Sequence, residues 1–220
     1  MRLVAADHGE APARPVTIPP FETTVRPVSG RILDFDVETV AAGFADPDWV
    51  PQKITCVAWS WMGEENVETR ICGPSGLYGE EWRRRHMLAP LLKQIALADM
   101  VIGHNIERFD LPVINAECMR LALPPIHKVK VHDTMRVARS KGFKKGQDNL
   151  GRLYRLVNEK QAMDWQAWQD GYNQEDWEDI RSRAASDVKM HKELYCVMLA
   201  ADPTQPFGVL KKPHYWSDGR

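Results

Sequence analysis

Residues 32–39 read Ile32-Leu33-Asp34-Phe35-Asp36-Val37-Glu38-Thr39. They form a short apolar strand, opening at Arg31, that is interrupted by acids. Side chains of a strand alternate between its two faces, so Asp36 and Glu38 share one face, with Asp34 nearer the strand start. Two carboxylates held side by side in a sheet, among Ile32, Leu33, Phe35 and Val37, raise each other's pKa unless a cation lies between them. The alternative is a strand end frayed into solvent, where the charges repel only weakly.

The segments around this strand predict a mixed α/β domain. Ile54 to Trp61 is β-rich and Val67 to Cys72 alternates, with a hairpin turn at Met62-Gly63. A helix is predicted over Trp82 to Leu97, where Met87, Leu88, Leu91, Leu92 and Ile95 recur at helical spacing. Short strands at Met100 to Ile102 and Val129 to Val131 flank a helix over Leu111 to Leu121. A long helix is predicted from Glu175 to about Ala200, with Ile180, Ala184, Val188, Leu194 and Val197 inward. This order predicts a five-stranded mixed sheet flanked by helices. Most tryptophans, such as Trp59, Trp61 and Trp82, are expected in or half in the core. Residues 1–29, with five prolines, read as an extended leader, 30–201 as the folded domain, and 202–220 as an irregular tail.

The 220 residues carry 29 Lys and Arg against 30 Asp and Glu. That balance excludes a polybasic coat on nucleic acid as the whole mechanism. It conceals a segregation. Arg120 to Arg155 holds ten basic residues against Asp133 and Asp148, and Leu156 to Asp187 holds eight acids against Lys160, Arg181 and Arg183. A basic block is either a solvated face or a track for a phosphate backbone. No apolar run of membrane-spanning length occurs, and Met1 to Gly9 lacks the apolar core of a secretory signal. The four cysteines, 16, 46 and 78 residues apart, have no metal-type spacing and read as thiols in a reducing cytoplasm.

Two further acids stand out. Asp110 follows His104-Asn105-Ile106-Glu107-Arg108-Phe109 and precedes Leu111-Pro112, where a strand ends and a helix opens. Alone, it reads equally as a helix cap. Asp187 lies on the late helix behind small residues, Ala184-Ala185-Ser186, and alone reads as a surface acid. If folding gathers these acids with Asp36 and Glu38, they make a hard oxygen site suited to Mg²⁺ or Mn²⁺. Two such ions about 4 Å apart stabilise the attacking and leaving oxygens of a phosphodiester displacement.

Over residues 31–200 the chain resembles the DEDD 3′–5′ exonucleases of the ribonuclease H-like superfamily. The resemblance rests on Asp36-Val37-Glu38-Thr39, on His104-Asn105 followed by Phe109-Asp110-Leu111-Pro112, and on Asp187-Val188. The second motif is close to that of family B proofreading domains. Val131-His132-Asp133-Thr134 and Asn149-Leu150-Gly151-Arg152-Leu153 look like the intervening segments. The resemblance implies a ribonuclease H-like fold and two metal ions. Asp36 would bridge both, Glu38 and Asp187 would complete the first, and Asp110 would hold the second. Thr39 and Asn105, with His104 beside it, fall where the family handles the terminal nucleotide, and Phe109 reads as packing. Arg139, Lys144 and Lys145 of the basic block would meet substrate phosphates.

One departure accompanies it. The family carries a Tyr four residues before the last Asp or a His five before it, and Arg183 and Ser182 stand there. Arg stays protonated and Ser is too weak a proton acceptor. Three alternatives stay open: water activated by the metal alone, a substitute such as His191 or His104, or weak activity. His191, one turn beyond Asp187, reads equally as an ordinary surface histidine.

The expected activity is release of mononucleotides from single-stranded ends, DNA favoured. A nuclease-like binding module and an RNA-directed nuclease are the alternatives. The domain is expected to stand alone and to reach replication or repair sites through partners.

Overall fold

The fold is taken from a computed structural model, which describes residues 30–41, 52–73, 78–140, 142–143, 146–158, 160, 177–201 and 215–218. The acid-bearing segment becomes the central-lying strand β1 (Ile32–Ala41). It pairs antiparallel with β2 (Gln52–Trp61), which turns through Met62-Gly63 into β3 (Glu68–Ile71). Gly63 has φ +91°, a left-handed conformation that only glycine adopts readily. On its other side β1 pairs parallel with β4 (Met100–Gly103), and β4 pairs parallel with β5 (Lys128–Asp133). Parallel neighbours need a crossover. Helix α1 (Glu80–Leu97) leads into β4, and α2 (Asp110–Arg120) joins β4 to β5. Then come α3 (Thr134–Ser140), α4 (Gln147–Tyr154) and α5 (Glu178–Ala201).

The mixed α/β architecture matches expectation, but the sheet has six strands, ordered β3-β2-β1-β4-β5-β6, where five were expected. The sixth, β6 (Tyr215–Ser217), pairs antiparallel with Lys128–Lys130 and lies in the stretch read as an irregular tail. Three residues are too few to show a period. Trp216 holds the strand through its packing on the core and through Nε1–H, which donates to the Glu107 carbonyl at 3.1 Å.

The alternation of β1 sorts its side chains. Leu33, Phe35 and Val37 join Leu88, Leu91, Ile95, Leu111 and Ile114 in the main core beneath α1 and α2. On the opposite face Cys56 and Ala58 of β2 pack with Ile180, Ala184 and Val188 of α5. The acids of β1 share this α5 side. Gly151 brings α4 against α5, since a Cβ there would lie 2.6 Å from Met190 Cε. Phe109 packs on the main core as expected, and all four cysteines are free thiols. Trp59 is buried and Trp61 half-buried, whereas Trp82 is 42% exposed, a correction to its core reading. It stacks between Tyr78 and His86, at centroid distances of 3.9 and 3.5 Å, on the outer side of α1. No helix among the described residues is long and apolar enough to cross a membrane.

The core beneath α1 and α2 also encloses charge. Arg84, 1% exposed, donates to Glu117 Oε1 at 3.1 Å, to the Ile54 carbonyl at 3.0 Å and to Glu80 at 2.8 Å. Glu117, 2% exposed, also accepts from Arg120 at 2.6 Å. Removing one member leaves the other as a buried, uncompensated charge. Glu117→Ala is expected to lower unfolding free energy by about 3–5 kcal/mol, read by urea denaturation; a loss under about 1 kcal/mol would contradict the buried pairing.

Candidate metal centre

The sheet and α5 bring three acids together. One carboxylate oxygen from each of Asp36, Glu38 and Asp187 lies within 4.8 Å of the others. Glu38 and Asp187 are buried and Asp36 is half-buried. The β1 alternation supplies the first two. The third arrives because Ala184, fully buried, lets α5 lie close over Ala58 and Cys56. A bulge follows immediately, since Glu38 pairs with Cys56 but Thr39 with Ile54. The skipped Thr55 donates its hydroxyl to the Glu38 carbonyl at 3.0 Å, which secures the backbone beside the acids.

Asp110 arrives from the start of α2. It is not a side-chain cap: the helix is capped at Phe109 without a side-chain hydrogen bond. Its Oδ1 accepts the Val37 N–H at 3.1 Å, a buried bond that ties it to the backbone between Asp36 and Glu38. Asp187 is 4% exposed, so it is no surface acid.

The charges are costly here. Burial first, then the charges of Glu38, Asp110, Asp187 and Asp34, lifts Asp36 well above the ordinary carboxylate range. Burial pushes Glu38 up to about 8 despite the neighbouring Arg183 guanidinium. It pushes Asp110 up to about 7, against the Val37 N–H bond and His191. Among the described residues the Asp36 carboxylate has no hydrogen bond or ion pair, and Asp187 Oδ1 is buried without a hydrogen-bond partner. Hard oxygens, mutual repulsion and unsatisfied lone pairs fit a divalent cation.

Two cationic side chains touch the same acids. Arg183 Nε donates to Glu38 Oε1 at 3.0 Å, and Lys160 Nζ lies 4.0 Å from Asp187 Oδ2. The position where the resembling family has Tyr is thus spent on an ion pair. His191 is not a surface histidine: it is 2% exposed, and its Nδ1 lies 3.3 Å from Asp34 Oδ1. Burial alone would lower the His191 pKa, but Asp34, Asp187 and Asp110 raise it. Burial raises Asp34 to about 6, with His191 pulling the other way.

The nucleotide-handling candidates lie around this centre. His104, half-buried, has Nδ1 2.9 Å from Thr134 Oγ1 and its ring 6.2 Å from that of His191. Asn105 holds φ +68°, with its N–H donating to Asp133 Oδ1 at 3.0 Å. Thr39 sits half-buried just after the bulge. Arg139 is exposed at the end of α3, and Lys144 and Lys145 lie outside the described residues. Sequence reasoning put Asp34 on the right face but without its His191 partner, and it missed Lys160. Alternation signalled the first; nothing local signals the second.

No family model matches the chain, and no curated protein sequence does. Among solved structures it is similar to a family B DNA polymerase from the hyperthermophilic archaeon Pyrobaculum calidifontis. The TM-score is 0.58 at 15% identity, over 77% of this chain and 24% of the polymerase, so the chain spans about a quarter of that protein's length. That likeness shows a fold: a mixed sheet flanked by helices, consistent with the ribonuclease H-like class.

The folded values near Asp34, Asp110 and Glu38 stand above the ordinary carboxylate values of 3.8 and 4.5. A raised folded pKa gives stability that is full below about pH 4 and lost as pH climbs through about 6 to 8. In EDTA the melting temperature is therefore expected to fall between pH 5.5 and 8, and less steeply in Glu38→Gln. Mn²⁺ should restore more at pH 8 than at pH 5.5, and a metal-independent melting curve at pH 8 would contradict the site. Arg183→Gln is expected to tighten Mn²⁺ binding on the order of tenfold by removing a competing cation, measured by calorimetry; unchanged or weaker binding would show that Arg183 does not compete.

Proposed function

We propose that the protein is a metal-dependent 3′–5′ exonuclease that hydrolyses phosphodiester bonds at single-stranded ends, DNA favoured. The observation that carries this is the convergence of Asp36, Glu38 and Asp187, with Asp110 bonded to the backbone between the first two. The DEDD pattern and the fold shared with a family B DNA polymerase support the reading.

In this reading Asp36 faces both of two ions, Mg²⁺ or Mn²⁺, Glu38 and Asp187 complete the shell of the first, and Asp110 that of the second. Bound cations would supply charge stabilisation to the attacking and leaving oxygens. The protein's own groups do the rest. The Val37 N–H fixes Asp110, and Asp133 fixes the loop carrying His104 and Asn105 toward the terminal nucleotide. Thr39 lies next to Glu38 on the same strand. Arg183 takes no proton, because a guanidinium stays charged, and its contact with Glu38 makes it a counter-charge. Arg139, with Lys144 and Lys145, would meet the phosphates behind the terminal residue.

A second reading is a binding module of little turnover, favoured by the cations already on Glu38 and Asp187. A 3′-labelled single-stranded oligonucleotide with Mn²⁺ separates the two. Labelled mononucleotide is expected from the wild type, with Asp36→Ala slowing release by at least about 1000-fold. Tight strand binding without release under Mg²⁺ or Mn²⁺ would leave the binding module standing, and equal release by Asp36→Ala would defeat the assignment of the site. RNA and DNA strands run in parallel decide the sugar preference.

A further inference from the structure

On the far side of the loop between β4 and α2 lies a cavity of about 360 Å³, lined by Asn105, Glu107, Arg108, Asp133, Arg136 and Arg139 among others. Three guanidinium-bearing residues face two acids, so the question is which charges are already spent. Asp133 accepts three backbone N–H groups, from Asn105 at 3.0 Å, Glu107 at 3.2 Å and Arg136 at 3.1 Å. Its charge is committed to holding the loop and the start of α3. Glu107 takes Arg136 through both oxygens, at 3.1 and 3.0 Å. That leaves Arg108 and Arg139. Both are exposed, and neither guanidinium has a hydrogen bond or ion pair with any described residue. Two uncompensated cations on one concave wall, with the neighbouring acids consumed, make a site for an anion.

We infer that this cavity binds a phosphodiester group of a nucleic-acid strand, with Arg108 and Arg139 as its ligands. The planar fork of a guanidinium matches two phosphate oxygens, and a diester carries the single negative charge that two such forks hold without leaving a deficit elsewhere. The placement is coherent with the acid centre. The same six-residue loop sends His104 toward His191 on one side and lends Asn105, Glu107 and Arg108 to the cavity on the other. The Asn105 backbone, at φ +68°, is the bend that divides the two, and Asp133 holds that bend. A strand whose end reaches the acids would thus have an internal phosphate held one loop away. The inference rests on the nucleic-acid reading above, yet it concerns binding and stands apart from cleavage.

The test measures binding of a fluorescent single-stranded oligonucleotide in EDTA across a salt series, so that no cleavage occurs. In Arg108→Gln/Arg139→Gln, affinity at low salt is expected to drop ten- to a hundredfold, and the slope of log K against log salt to flatten by about 1.4, roughly 0.7 for each lost phosphate contact. Arg108→Lys/Arg139→Lys should keep most of the slope, which a folding defect would not. Lys93→Gln, an exposed change on α1, is the control. A double Gln variant indistinguishable from Lys93→Gln would overturn the inference. So would competition by inorganic phosphate or a mononucleotide at the pocket with strand binding unchanged. Strand binding that shows the expected slope loss, in a protein that releases no nucleotide with Mn²⁺, would sink the nuclease reading and keep the pocket. Release with an unaltered slope would do the reverse.

Discussion

Like charges forced together at the interface of β1 and α5 are the constraint around which this molecule is built. Carboxylates in contact in a low-dielectric layer repel strongly and resist ionisation. The fold answers acid by acid. Asp110 receives a backbone N–H, Glu38 an arginine, Asp187 a lysine and Asp34 a histidine. Asp36, at the middle of the group, receives nothing from the described residues. An acid left bare while each of its neighbours is compensated marks the place where an outside cation settles most of the repulsion.

Bringing the acids that close requires small residues and a held backbone. Cys56, Ala58 and Ala184 are fully buried, so the sheet and α5 meet without large side chains between them. The bulge at Glu38 and Thr39, bonded through Thr55, fixes where the acidic run ends. On the opposite face Arg84 and Glu117 tie α1 to α2 across the core. Since α2 begins with Asp110, that ion pair helps to set the helix whose first residue reaches Val37.

The strands and helices near the centre were legible because their periods are local. Alternation over residues 32–39 puts three acids on one face, and the helical spacing around Ile180, Ala184 and Val188 predicts a buried stripe on α5. Partners distant in sequence were not legible. His191 and Asp34 are 157 residues apart, and Arg183 and Glu38 are 145 apart. Nothing local tells a histidine one turn past Asp187 whether it meets a carboxylate or water. Trp82 illustrates the converse: its size suggested burial, but its place on α1 points it outward, where Tyr78 and His86 cover its faces. β6 escaped because three residues carry no period and depend on a tryptophan reaching Glu107.

The counter-charges differ in kind, and the difference orients the site. His191 and Asp34 are 2% and 0% exposed at the side chain, so neither can leave without stranding the other in the core. Arg183 and Lys160 are 16% and 29% exposed and sit at the ends of long, flexible stems. Such groups can return to water at small cost. One edge of the acid cluster is therefore permanently balanced, and the other is balanced by groups that an incoming cation or phosphate can displace. Exchange of charge with the outside has to run through the Arg183 and Lys160 edge, which makes that edge the mouth of the site and the Asp34–His191 edge its wall.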